Sequence, residues 1–181
     1  MDTYFLNFNE KKALNAVLFI VSKLKRKDFH KIFKVLYFAD RNHISEYGRP
    51  ISGDVYIAMD DGPVPSKLYD IFKSVRGDGY FKDKGHFSKL IQIIDWDIVK
   101  ALQEPNLKSL SKTDIKHLNN SLELYGNMSW DEVREKSHDY AWRRTAKNNP
   151  ISLDNLVRET GDDKEYIDYL KEQEELINLC R

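Results

Sequence analysis

Apolar residues recur at helical spacing early in the chain: Ala13, Ala16, Val17, Ile20 and Leu24 share one face, which predicts a first helix from about Glu10 to Lys25. Asn7 and Glu10 suit a capping box at its start, and Lys23, Lys25, Arg26 and Lys27 lie where cations complement a helix C-terminus. A second helix is predicted from Asp28 to Glu46. On a wheel of about 100° per residue, Phe29, Ile32, Phe33 and Leu36 form one face, and Asp40, His43 and Tyr47 continue it. The core-facing stripe therefore turns polar in its second half. An unpaired carboxylate or imidazole in a core costs about several kcal/mol, so the pattern predicts a hydrogen-bonded polar cluster beside the loop from Gly48 to Asp54.

Downstream the pattern shortens. Gly48 ends the second helix and Pro50 blocks its continuation. Val55 to Met59 alternates and predicts a strand, Asp61-Gly62-Pro63 a turn, and Pro65 the first turn of a helix to Val75. Tyr80 to Lys84 and Phe87 to Ile94 predict a hairpin around Lys84-Gly85, giving with the earlier strand a three-stranded antiparallel sheet. Ser111 with Asp114 and Ser129 with Glu132 are capping boxes for two helices, ending near Gly126 and His138. Asn148-Asn149-Pro150 is a loop, and Asp162 and Glu165 cap a last helix from Asp163 to Leu179. That helix is acidic with a thin apolar stripe, so it is expected to pack weakly or wait for a partner. On this expectation, removing the chain after Pro150 costs less stability than Trp142→Ala.

The fold class predicted is α+β: one mostly helical domain with a small sheet over residues 1–150, and an acidic helical segment over 151–181 packed on it. Composition agrees with a packed domain. Of 181 residues, 41% are hydrophobic and 12% aromatic, enough to build a core. Lys plus Arg number 29, as do Asp plus Glu, and a neutral total argues against nucleic acid as a partner of the isolated protein. Cys180 is the single cysteine, which excludes an intramolecular disulfide and a thiolate zinc site. The longest apolar run, Ala16 to Val21, is too short to span a membrane, and the first residues lack the pattern of a signal peptide. A cytoplasmic location is the expectation.

Asp40, His43 and Glu46 at three-residue steps invite a metal reading, but a further strong ligand is missing at a convincing spacing, and a structural hydrogen-bond cluster fits better. Ser137-His138-Asp139 is not a triad, because neighbours on a helix do not face each other, whereas His138 and Trp142 lie one turn apart and suit a packed pair. Arg143, Arg144 and Lys147 make a solvated basic edge. No cofactor is implied by any motif.

Phe38 to Phe72, FADRNHISEYGRPISGDVYIAMDDGPVPSKLYDIF, joined by SHDYAW from Ser137 to Trp142, resembles the Panacea domain of the SocA-like antitoxin family, earlier described as a phage-associated domain of unknown function. The resemblance covers about Asp28 to Thr145. It implies a bacterial or phage protein encoded beside a toxin, which it neutralises by direct binding. The partner is then a cognate protein toxin, with no enzymatic activity and no catalytic residues to carry over. Two alternatives are a phage-associated adaptor or regulator that binds another host protein, and a metal-dependent hydrolase centred on Asp40 and His43. The residues matching recurring family positions are Tyr37, Asp40, His43, Tyr47, Gly48, Pro50, Asp54, Tyr56, Gly62, Pro63, His138 and Trp142, with the implied role of holding the fold. Outside that pattern, Tyr166, Ile167, Leu170 and Ile177 are the expected partner-binding residues.

Overall fold

The computed structural model describes residues 7–79, 85–161 and 164–179, with side chains of the last helix described as far as Gln173. The predicted caps at Asp162, the strand at Tyr80 to Lys84 and Cys180 fall outside these residues. Helices dominate: α1 (Glu10–Lys23), α2 (Phe29–Tyr47), α3 (Ser66–Arg76), α4 (Lys112–Tyr125), α5 (Trp130–Ser137), α6 (Tyr140–Arg143), α7 (Leu153–Glu159) and α8 (Lys164–Leu179). The strands are β1 (Tyr56–Met59), β2 (Gly62–Pro65), β3 (Ile91–Ile94) and β4 (Ile98–Ala101). Among the described residues no helix is long and apolar enough to cross a membrane.

The α+β class stands, but the single three-stranded sheet does not. Among the described residues there are two separate antiparallel hairpins, β1 with β2 and β3 with β4. The segment read as a Gly-Pro turn is itself a strand: Tyr56 faces Pro65 and Met59 faces Gly62 across the turn Asp60-Asp61. The second hairpin is displaced toward the C-terminus. Phe87–Lys89 is a short 3-10 helix, and β3 reverses through Asp95-Trp96-Asp97 to pair Ile94 with Ile98. The turn was missed because Asp95 and Trp96 adopt positive φ, 46° and 71°, without a glycine to announce it.

The helix starts were more legible. Both predicted capping boxes are formed, Ser111 with Asp114 and Ser129 with Glu132. The cap of α1 is Asn9, whose side chain accepts the Lys12 amide at 3.0 Å, rather than Asn7. Asp28 caps α2, and Gly48 closes it at φ 69°.

α2 is the axis of the molecule, packing against α1, α4, α5, α7 and β2. Every residue from Lys31 to Asp40 is buried, so α2 has no solvent face there. One side joins a core with α1, α3, α4 and the β3–β4 hairpin, including Val17, Ile20, Phe33, Leu36, Leu68 and Phe72. The other side, with Tyr37, Phe38 and Ile44, joins a second core. The C-terminal segment contributes to this core. Ile151, Leu153, Leu156 and Val157, with Ile167 and Leu170 of α8, are buried in that second core. The thin stripe on α8 thus includes two residues, Ile167 and Leu170, that are buried against the rest of the protein.

Candidate functional site

The polar half of α2 organises three linked clusters. In the first, Asp40 is 1% exposed. Its Oδ1 accepts the Ile51 and Ser52 amides at 2.7 and 3.0 Å, and its Oδ2 accepts the Tyr56 hydroxyl at 2.8 Å and the Ser52 hydroxyl. Burial pushes the carboxyl up, against four donors that favour the ionised form. Asp54 continues the cluster: it accepts the Lys67 and Leu68 amides, both at 2.9 Å, and so caps α3 from outside the helix, which Pro65 cannot do with its own side chain. Burial raises Asp54 to about 6, above what its backbone donors would set.

The second cluster joins α2 to α4. His43 is fully buried. Its Nδ1 lies 2.7 Å from the Arg49 carbonyl, which can only accept, so Nδ1 carries the proton. Its Nε2 faces Thr113 Oγ1 at 3.0 Å and Asp114 Oδ1 at 3.2 Å. Asp114 also binds Lys12 Nζ at 2.8 Å, Arg49 at 3.1 Å and the Ser111 amide at 2.7 Å. Burial alone would raise this carboxyl; His43, Lys12 and the Ser111 amide outweigh it and hold Asp114 well below the usual carboxylate range. Tyr47, expected on the same stripe, is 41% exposed and donates to Glu46 at 2.7 Å, because α2 emerges into solvent in its last turn. Gly48 lies beneath α8, where a β-carbon would meet Leu170 Cδ2 at 2.8 Å, and Pro50 is buried beside it.

The third cluster ties α2 to α6 and the β1–β2 hairpin. The Tyr37 hydroxyl and Arg41 both donate to Asp139 Oδ2 at 2.7 Å, while Asp139 Oδ1 caps α6 at the Trp142 amide. His138 stacks on Trp142 at 3.7 Å between centroids, and the Trp142 indole donates to the Met59 carbonyl at 2.9 Å. Gly62, at φ 97°, permits a close approach: a β-carbon there would lie 2.3 Å from Ser137 Oγ and 2.9 Å from Lys34 Cε. The Pro63 carbonyl accepts Lys34 Nζ at 2.9 Å.

Asp40 and His43, the centre of the hydrolase alternative, are thus held in different clusters, each saturated by its own partners. Among the described residues no group of at least three His, Cys, Asp or Glu side chains is placed to hold a metal ion. Of the expected partner-binding residues, Ile167 and Leu170 are 1% and 3% exposed, and the Tyr166 hydroxyl donates to the Ile44 carbonyl at 3.1 Å. Ile167 and Leu170 lie in the protein's own second core, and Tyr166 packs against it. Ile177 lies in α8 beyond the last described side chain.

Sequence reasoning passed over Asp114, Asp139 and Lys34. Asp114 was read only as part of a helix cap, and Asp139 only as a member of a rejected triad. Lys34 drew no reading from the sequence, yet it is 1% exposed, and burial lowers it to about 7 from 10.5. The unfolded chain keeps this proton to higher pH than the folded one, so Lys34 makes stability rise with pH between about 7 and 10.5. Lys34→Met is expected to stabilise the protein most at pH 7 and below, with the gain shrinking toward pH 10. Urea unfolding across that range checks this, and a gain independent of pH would show the ammonium to be compensated.

No curated protein and no solved structure matches the chain. The family profile described as antitoxin SocA-like, Panacea domain, matches residues 32–143, which hold most of α2, both hairpins, and α3 to α6. The three clusters above lie almost wholly inside that span, and with more than half of its length matched the chain belongs to the SocA-like antitoxin family, whose Panacea domain it carries.

Proposed function

We propose that this protein is the antitoxin of a toxin–antitoxin pair and neutralises a protein toxin by direct binding, without chemistry of its own. The family match over residues 32–143 carries this reading. The clusters support it, because Asp40, Asp114 and Asp139 are engaged by hydrogen bonds inside the fold and act as joints between elements. Saturated joints make a rigid scaffold, and recognition falls to the outer surface. The family-motif residues then specify the shape, and the surface between them specifies the partner.

The test is co-expression with the toxin encoded by the adjacent reading frame. Growth should be restored when the protein is present, and the two chains should co-purify as a complex of fixed stoichiometry. Continued growth arrest in the presence of folded protein, with no complex recovered, would remove the antitoxin reading and favour an adaptor for another protein.

A further inference from the structure

The β3–β4 hairpin carries none of the recurring family residues, yet it exposes two aliphatic side chains at β4, Ile94 at 38% and Leu102 at 45%. Both border a groove of about 560 Å³ between β4 and the last turn of α1, lined also by Val21, Ile98 and Ala101. The groove follows a strand edge. Ile94 pairs with Ile98, and the Leu102 amide donates to the Leu90 carbonyl at 2.9 Å. Bonded and unbonded pairs alternate along an antiparallel ladder, so Ala101 turns its own N–H and C=O away from β3. Nearer the turn the chain itself closes this edge: the Lys27 carbonyl accepts the Val99 amide at 2.8 Å, and the Phe29 amide donates to the Asp97 carbonyl at 2.9 Å. Among the described residues no backbone group continues that pairing to Ala101.

Charge on this face is one-sided. Lys27 and Lys100 line the groove, and Lys23 and Lys25 are exposed next to it along the chain. Among the described residues none of these four lysines is ion-paired, whereas Arg26 between them is held by Asp28. Glu104 is the single carboxylate of the lining. A chain of zero net charge thus sets four lysines against one glutamate here. Both lining lysines stand on paired backbone, Lys27 through its bond to Val99 and Lys100 within β4, so their charges are held in place. A nucleic-acid backbone would use the lysines but leave Ile94 and Leu102 in water and the edge at Ala101 unmet. An acidic peptide with apolar side chains answers all three features.

We propose that this groove docks an extended acidic segment of the partner protein. Its apolar side chains cover Ile94 and Leu102, its carboxylates meet Lys27 and Lys100, and its backbone pairs with Ala101. The identity of the partner as a toxin rests on the antitoxin reading; the chemistry of the groove does not.

The first arm titrates purified protein with acetyl-Glu-Leu-Glu-Leu-Glu-amide, following the backbone amide resonances of Ile98 to Gln103. Two control peptides replace every glutamate by lysine, or every leucine by serine. The acidic apolar peptide should shift these resonances saturably at millimolar concentration. Lys27→Gln combined with Lys100→Gln should weaken its binding about fivefold, as loss of two exposed ion pairs implies. Equal binding of either control peptide, an unchanged affinity in the double variant, or no saturable shift overturns the proposal. A DNA duplex that shifts the same resonances at lower concentration overturns it too, and assigns the face to nucleic acid. The second arm co-expresses the toxin with Lys100→Glu and with the double glutamine variant, both checked for an unchanged melting temperature. Both should lose neutralisation. If both neutralise fully, the groove is not the interface and the proposal falls, while the antitoxin reading survives. If the wild-type protein fails to neutralise, that reading falls and the peptide titration still decides the groove.

Discussion

Asp40→Ala is expected to lower stability by about 4 kcal/mol or more, enough to unfold a marginal domain. The change leaves the Ile51 and Ser52 amides and the Ser52 and Tyr56 hydroxyls without their acceptor, at a site closed to water. Each orphaned buried donor costs about 1–3 kcal/mol. Asp40→Asn should cost much less, because the amide keeps one carbonyl for the backbone donors and both hydroxyls can rotate. Tyr56→Phe, which removes one hydroxyl and its bond together, should cost about 1 kcal/mol. Urea unfolding of the three variants checks the ranking. Near-equal stability of Asp40→Ala and the wild type would show that water replaces the carboxylate.

Truncation after Pro150 should leave the protein unfolded, and should be far worse than Trp142→Ala. The truncation strips Ile151, Leu153, Leu156, Val157, Ile167 and Leu170 from the second core. Each fully buried aliphatic side chain contributes about 1.5–3 kcal/mol, so the loss is as large as the roughly 5–15 kcal/mol that holds an ordinary domain together. Trp142 is only half-buried, and its loss removes one indole hydrogen bond and the stack on His138. Circular dichroism and melting curves of both proteins decide the order. A folded truncation with a cooperative transition would restore the opposite ranking that the thin stripe of α8 suggests.

The helices were legible because their starts are written in local chemistry. Ser111 with Asp114 and Ser129 with Glu132 act within one turn, and the structure keeps both. The burial of Asp40 and His43 was legible too, since a wheel position depends only on the helix. Features that depend on distant residues were not. The burial of Lys31 and Lys34 is one such feature: Tyr125, Met128 and Pro63 supply carbonyls that receive their ammonium groups. The C-terminal segment read as peripheral because its stripe is sparse, while the groove that accepts it is built from α2 and β1 far away in sequence. Trp96 hid in a turn that lacks the glycine by which such turns are recognised.

The β1–β2 hairpin has both edges closed. β2 carries Pro63 and Pro65, and the outer edge of β1 is bonded to a later strand of chain: the Ala58 amide to the Asn149 carbonyl at 3.0 Å, and the Ile151 amide to the Tyr56 carbonyl at 2.8 Å. On a ribosome adding about 5–20 residues per second, the hairpin therefore waits several seconds for the segment that seals it. Until then β1 offers a bare edge, and Tyr37, Phe38 and Tyr56 lie uncovered on the nascent chain. A half-made copy thus keeps an open strand edge and apolar surface that the finished chain covers.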